Sequence, residues 1–161
     1  MDTRFFEVLR LIHSRLRLLP YPWVLTGSLG MALQGMPVAV HDIDLQTDRI
    51  GAYAIADRLV EFITQPVHEW VSERLRSHFG RLKIGGIQVE IMGDIQKWVD
   101  GAWEPPVDIT RYRHWVDCEG LRLPVLDLAY EYQAYLKLGR WAKAAQIRAW
   151  LEAQGRPLDP P

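Results

Sequence analysis

The chain has 161 residues, 48% of them hydrophobic and 24% charged, a globular composition that excludes a disordered or fibrous protein. Nineteen basic residues against twenty acidic ones leave a net charge of −1, which is not the basic excess of a general nucleic-acid binder. One cysteine, Cys118, excludes an internal disulfide framework and a cysteine-based zinc site, and fits a reducing cytoplasm. No apolar run approaches the ~18 residues of a spanning helix. The opening MDTRFFEVLR carries charges where a signal peptide needs an apolar stretch, so no export is expected.

In chain order, Phe5, Val8, Leu9, Ile12, Leu16 and Leu19 recur on one face and predict an amphipathic helix stopped by Pro20 and Pro22. Trp23 to Thr26 is a short apolar run suited to a buried strand. Gly27-Ser28 follows and leads into a short helix, with Ser28 a candidate N-cap and Gly35 a stop. His41 to Asp48 alternates polar and apolar residues, the strand signature. Ala52, Ile55, Ala56, Leu59, Val60 and Ile63 form one stripe and predict a helix over Gly51 to Ile63. The segments VHEWVSERL and HFGRLKI read as extended. Gly85-Gly86 sits between RLKI and IQVEIM, a two-residue hairpin turn. Residues 93–125 read as turn-rich and aromatic, with RYRHWV and LRLPV as candidate strands. From Leu126 the pattern is helical again, with a break near Gly139 and a frayed tail after Gly155.

This order gives an α/β (α+β) fold: a mixed sheet flanked by helices, with a C-terminal helical cap. The expected division is a core at residues 1–125, a helical pair at 126–155 packed on it, and a tail at 156–161.

Three acids carry the chemistry. Residues two apart on a strand share a face, so Asp42 and Asp44 present paired carboxylates while Ile43 and Leu45 turn to the core. Like charges that close are costly unless a cation sits between them. Magnesium suits such a pair, because it takes one or two protein carboxylates and fills its sphere with water and substrate phosphates. Glu90, between Val89 and Ile91, joins the same face if its strand lies beside that of the aspartates. There it completes a metal site or accepts a proton. Gly27-Ser28 adds a backbone that a phosphate can approach closely.

Gly-Ser, a helix-length gap, Asp-x-Asp on a strand and a later strand carboxylate resemble the nucleotidyltransferase superfamily, the DNA polymerase beta-like fold. Small bacterial nucleotidyltransferase-like proteins look nearest, and aminoglycoside nucleotidyltransferases more distant. The resemblance covers Trp23 to about Asp94, and more weakly the segment LDLAYEYQAYLKLGRWAKAAQI. It implies Asp42, Asp44 and Glu90 as catalytic residues and Mg2+ ligands, with Gly27 and Ser28 positioning a nucleoside triphosphate. It implies transfer of a nucleoside monophosphate to an unidentified acceptor (a small molecule, protein or RNA end) with release of pyrophosphate. Val38 and Val40 stand where many family members carry arginine and threonine. That departure keeps a second reading open: a non-catalytic nucleotide- or partner-binding module, such as a toxin–antitoxin-like component. A homo-oligomer or partner protein is left open, and no membrane partner is expected.

The remaining features read as structural. Asp48 leads into the next helix, His41 is a packed or surface residue, and Asp94 caps a turn after Gly93. The histidines lack metal-protease spacing, and nothing supports Cys118 as a nucleophile. Arg74, Arg76, His78, Arg81 and Lys83 form a basic strip. It reads first as a charged edge strand and second as a phosphate or acidic-acceptor contact. The strip also argues against an acidic pocket for a cationic drug. Lys137, Arg140 and Lys143 are candidates to face the nucleotide.

Overall fold

The structure is a computed structural model that describes residues 1–161. A mixed eight-stranded sheet forms its centre, in the order β3-β4-β5-β2-β1-β8-β7, with the short β6 hydrogen-bonded to β5. The strands are β1 Trp23–Thr26, β2 Ile43–Thr47, β3 Ile63–Val71, β4 Leu75–Ile84, β5 Ile87–Val99, β6 Ala102–Trp103, β7 Arg113–Cys118 and β8 Leu121–Leu126. The β2–β5 and β1–β8 pairs are parallel and the rest antiparallel. This is the mixed α/β architecture expected from the sequence.

Helix α1 (Thr3–Leu16) is capped by Asp2, whose carboxylate accepts from the Arg4 N–H at 2.9 Å. It buries Phe5, Val8, Leu9, Ile12 and Leu16 against one face of the sheet, where Leu25, Leu45, Ile91 and Val125 complete the main core. Helix α3 (Arg49–Arg58) packs into the same core through Ala52 and Ile55. Its N-cap is Asp48, the residue expected to lead into this helix, which accepts from Gly51 N–H at 2.6 Å. The helix is shorter than expected. A single 3-10 turn at Val60–Phe62 ends it, Val60 is 65% exposed, and Ile63 opens β3. The apolar stripe continued past the helix because Ile63 is claimed by the sheet.

Gly85-Gly86 forms the expected hairpin turn, with both residues at positive φ and Ile84 paired to Ile87. Strand β5 then runs to Val99, well past the turn expected at Gly93-Asp94. Asp94 lies within the strand at φ +49, and two steps along β4 (Arg76 to His78) oppose three along β5 (Gly93 to Gln96). This is a β-bulge, and it reverses which residues face which side. Glu90 and Met92 face one side before it; Ile95 and Lys97 face that same side after it.

The last two helices, α5 (Leu128–Lys137) and α6 (Trp141–Ala153), are separated by Gly139 at φ +69. Between them they bury Leu128, Tyr132, Ala144, Ile147 and Leu151 around Met31 and Met36, a second core on the opposite side of the sheet from α1. Met31 belongs to α2 (Gly27–Leu33), and the one-turn α4 (Ile109–Tyr112) precedes β7. No helix is long and apolar enough to cross a membrane.

Candidate active site

The face of the sheet opposite α1, together with α2, α5 and α6, encloses a cavity of about 880 Å³. That lies within the ordinary range for a small-molecule site. Gly27, Ser28, Asp42, Asp44 and Glu90 all line it. The sequence reading needed β5 beside β2, and that is the register found: Asp44 is paired with Glu90 in the parallel ladder, and with Thr26 on its other side. Asp42 lies just ahead of β2 rather than within it.

Asp44 is the most strained charge of the group. Burial pushes its carboxyl up to about 7, and the charges of Asp42, Glu90 and Glu131 push in the same direction. Lys143, on α6, eases this only in part. The carboxylate oxygens aim at the turn after β1. Gly27 holds φ +64 there, and a Cβ at that position would collide with Oδ2 of Asp44. The glycine is therefore required twice, by its backbone and by its neighbour.

Glu90 is engaged by protein. Its Oε1 accepts from Arg81 Nε at 3.2 Å and from Gln88 Nε2 at 2.9 Å. Arg81 is nearly half exposed, so this pair is exchangeable and contributes ~1 kcal/mol or less. No three of the His, Cys, Asp and Glu side chains converge as a ready-made ion site. The donor set nevertheless fits a hard divalent cation at Asp42 and Asp44: two adjacent carboxylates in surplus negative charge, with Glu90 alongside and held back by Arg81.

Ser28 is not the N-cap. The helix begins at Gly27, and Thr26 occupies the cap position without bonding to the helix. Its hydroxyl is taken by Glu131 of α5, which also accepts from Gly27 N–H at 3.1 Å. Gly27 therefore spends its amide inward, and Ser28 is left lining the cavity. Glu131 is 3% exposed, and its second oxygen, Oε2, has no partner. Burial raises it to about 7, against the lowering effect of its bonds to Thr26 and Gly27.

Residues 8–148 match the sequence model of the family described as aminoglycoside-2''-adenylyltransferase. The chain belongs to this family. It is an enzyme of the nucleotidyltransferase class, as the superfamily resemblance indicated. A Thermotoga maritima protein assigned as a nucleotidyltransferase is 51% identical, with a TM-score of 0.84 over 95% of this chain and 96% of that one. The antibiotic-resistance factor ANT(2'')-Ia is 15% identical, with a TM-score of 0.61 over 96% of this chain and 88% of that one. The lincosamide antibiotic adenylyltransferase LnuA is 13% identical, with a TM-score of 0.57 over 92% and 96%. The last two show a shared fold. No curated protein matches.

Three further residues of this aminoglycoside-2''-adenylyltransferase family member enter the site without having been singled out as site residues. Glu131 lies in a helix whose stripe of apolar positions masks it. Lys97 lies beyond the bulge. Tyr135, on α5, sits close enough to Asp42 and Asp44 for their charges to help raise its hydroxyl, after burial. Of the basic candidates, Arg81, Arg140 and Lys143 line the cavity. Lys137 pairs with Glu104 at 2.8 Å, and His78 pairs with Tyr53 at 2.9 Å on the other face.

Proposed function

We propose that this protein transfers a nucleoside monophosphate from a nucleoside triphosphate to an acceptor hydroxyl, releasing pyrophosphate. One observation carries the reading. Asp44 is paired with Thr26 on one side and Glu90 on the other, and with Gly27 these residues line one cavity of about 880 Å³. Asp42 and Asp44 are the residues that would hold Mg2+. When bound, the ion would supply charge stabilisation for the triphosphate and the departing pyrophosphate.

The chain's own groups do the rest. The acceptor oxygen attacks the α-phosphorus, and the bond from that phosphorus to the pyrophosphate oxygen breaks. The acceptor proton passes to Glu90, whose carboxylate becomes available as Arg81 turns toward phosphate. Lys143 and Arg140, at the start of α6, meet the triphosphate charge in place of the arginine absent at Val38. Ser28 and the open backbone at Gly27 allow the phosphates close to Asp44. Glu131 fixes that turn by holding both Thr26 and Gly27.

The test is incubation with each of the four nucleoside triphosphates and Mg2+, reading pyrophosphate against a panel of hydroxyl-bearing acceptors. Release with at least one triphosphate supports transfer. Tight binding with no release to any acceptor, or to water, supports the binding-module reading instead.

A further inference from the structure

The cavity is divided by charge. Its four carboxylates, Asp42, Asp44, Glu90 and Glu131, all belong to the end where the reaction is placed. The other end lies between the far halves of β4 and β5 and helix α5. Trp70, Leu75, Phe79, Ile95 and Leu138 wall it, and no acid lines it. Trp70 and Phe79 pack at 6.4 Å between ring centroids, giving a broad aromatic surface.

Arg81 reaches the edge of this end, 5.1 Å from the centre of the Phe79 ring, but is paired with Glu90; one charge there has no acid beside it. Lys97 is 5% exposed and lines the cavity. Its Nζ donates to the Tyr130 hydroxyl at 2.9 Å and lies 5.3 Å from that ring's centre. It has no carboxylate of its own. The acid whose charge it feels most, Glu104, pairs with Lys137 at 2.8 Å. Tyr130 cannot supply a counter-charge, because burial pushes its hydroxyl well above the usual range. A buried ammonium with no paired anion is costly, and the Tyr130 hydroxyl and ring, with the charge of Glu104, offset only part of that cost. Burial lowers Lys97 to about 8, which still leaves it protonated at neutral pH.

We propose that this end of the cavity is the acceptor pocket, and that it takes an apolar, aromatic molecule carrying an anionic group, which pairs with Lys97. The inference rests on the transferase reading above and names the acceptor class for that site. A polycationic acceptor is disfavoured by the same features: it would meet Lys97 and find no acid at this end. Glu90 and Lys97 lie opposite Arg81 and Leu75, six steps apart on β4, roughly 20 Å at ~3.3 Å per residue. An elongated molecule can therefore place a hydroxyl near the α-phosphate and its anion near Lys97.

Calorimetric titration with a rigid probe series tests this: 4'-hydroxybiphenyl-4-carboxylate, its carboxamide, and the matching 4-aminomethyl cation. The expected result is binding of the carboxylate about tenfold tighter than either analogue, the scale of one charge-assisted contact. Lys97→Met should remove the preference while leaving the melting temperature unchanged or raised, and Lys97→Arg should keep it. If Lys97→Met does not fold, Lys97→Gln takes its place. Equal or tighter binding of the cation, an undiminished preference in the Met or Gln variant, or no saturable carboxylate binding overturns the inference. A non-hydrolysable ATP analogue with Mg2+ is titrated into the same samples. Nucleotide binding without anion preference overturns the acceptor inference alone. Anion preference without nucleotide binding keeps Lys97 as an anion anchor and overturns the transferase reading.

Discussion

Asp44→Asn should make the folded protein more stable, with a gain that is absent near pH 4, grows as pH rises and is largest from about pH 7 upward. In the native state the Asp44 carboxyl is raised from 3.8 to about 7, chiefly by burial and then by Asp42, Glu90 and Glu131. Because the native state holds this proton more tightly than the unfolded chain does, the cost of ionising it is absent below about pH 4. The cost grows through the interval and is complete above pH 7. A rise of roughly three pKa units sets a ceiling of ~4 kcal/mol. Asparagine keeps the size and removes the charge, at the loss of some favourable interaction with Lys143, so a gain of ~1–2 kcal/mol is expected at pH 8. At ~2–4 °C per kcal/mol for a chain of this size, the melting temperature rises by ~2–8 °C. The assay is thermal denaturation of wild type and variant from pH 4 to pH 8, read as the difference between the two. The difference should shrink toward zero as pH falls to 4. Added Mg2+ should narrow it at pH 8 by stabilising wild type alone. A difference that is flat with pH, or a variant less stable than wild type at pH 8, refutes the argument that crowded carboxylates store this cost.

Gly27→Ala should lose both stability and nucleotide binding, because the added Cβ meets Asp44 and the backbone is held at φ +64. A cost of ~2 kcal/mol or more is expected in denaturant melts, and Gly86→Ala, whose Cβ meets nothing, should show only the cost of its positive φ. Glu131→Ala should destabilise by ~1–3 kcal/mol by leaving Thr26 and Gly27 unpaired. Glu131→Gln should keep one acceptor and be nearly neutral at pH 8, where wild type bears the charging cost; equal losses for the two would show that the carboxamide cannot stand in.

Much of this architecture is written in local pattern. Gly85-Gly86 declares the hairpin, and that hairpin sets Glu90 opposite Arg81, whereas the place of Glu90 beside Asp44 comes from the long-range pairing of β2 with β5. The period-two alternation around Asp42 and Asp44 places β2 and puts Asp44 on the cavity side. What local pattern does not carry is long-range competition for the same group. Ser28 looks like a cap, but Gly27 turns the chain first, and Thr26 gives its hydroxyl to Glu131, 105 residues away. Arg81 looks like part of an edge strip, yet its register opposite Glu90 makes it a partner of the site. Gly93-Asp94 looks like a turn because both residues favour one, whereas the sheet absorbs them as a bulge. That single inserted residue turns Lys97 inward, and no periodicity reading across it would find the lysine.

The central claim is that Asp42 and Asp44, beside the Gly27 turn, hold a divalent cation with a nucleoside triphosphate. The most direct measurement is calorimetric titration of a non-hydrolysable triphosphate into wild type and the Asp42→Asn/Asp44→Asn double variant, with Mg2+ and with chelator. The account predicts Mg2+-dependent binding to wild type and its loss in a double variant that melts no lower. Equal affinity in the two proteins, or binding to wild type indifferent to Mg2+, contradicts it.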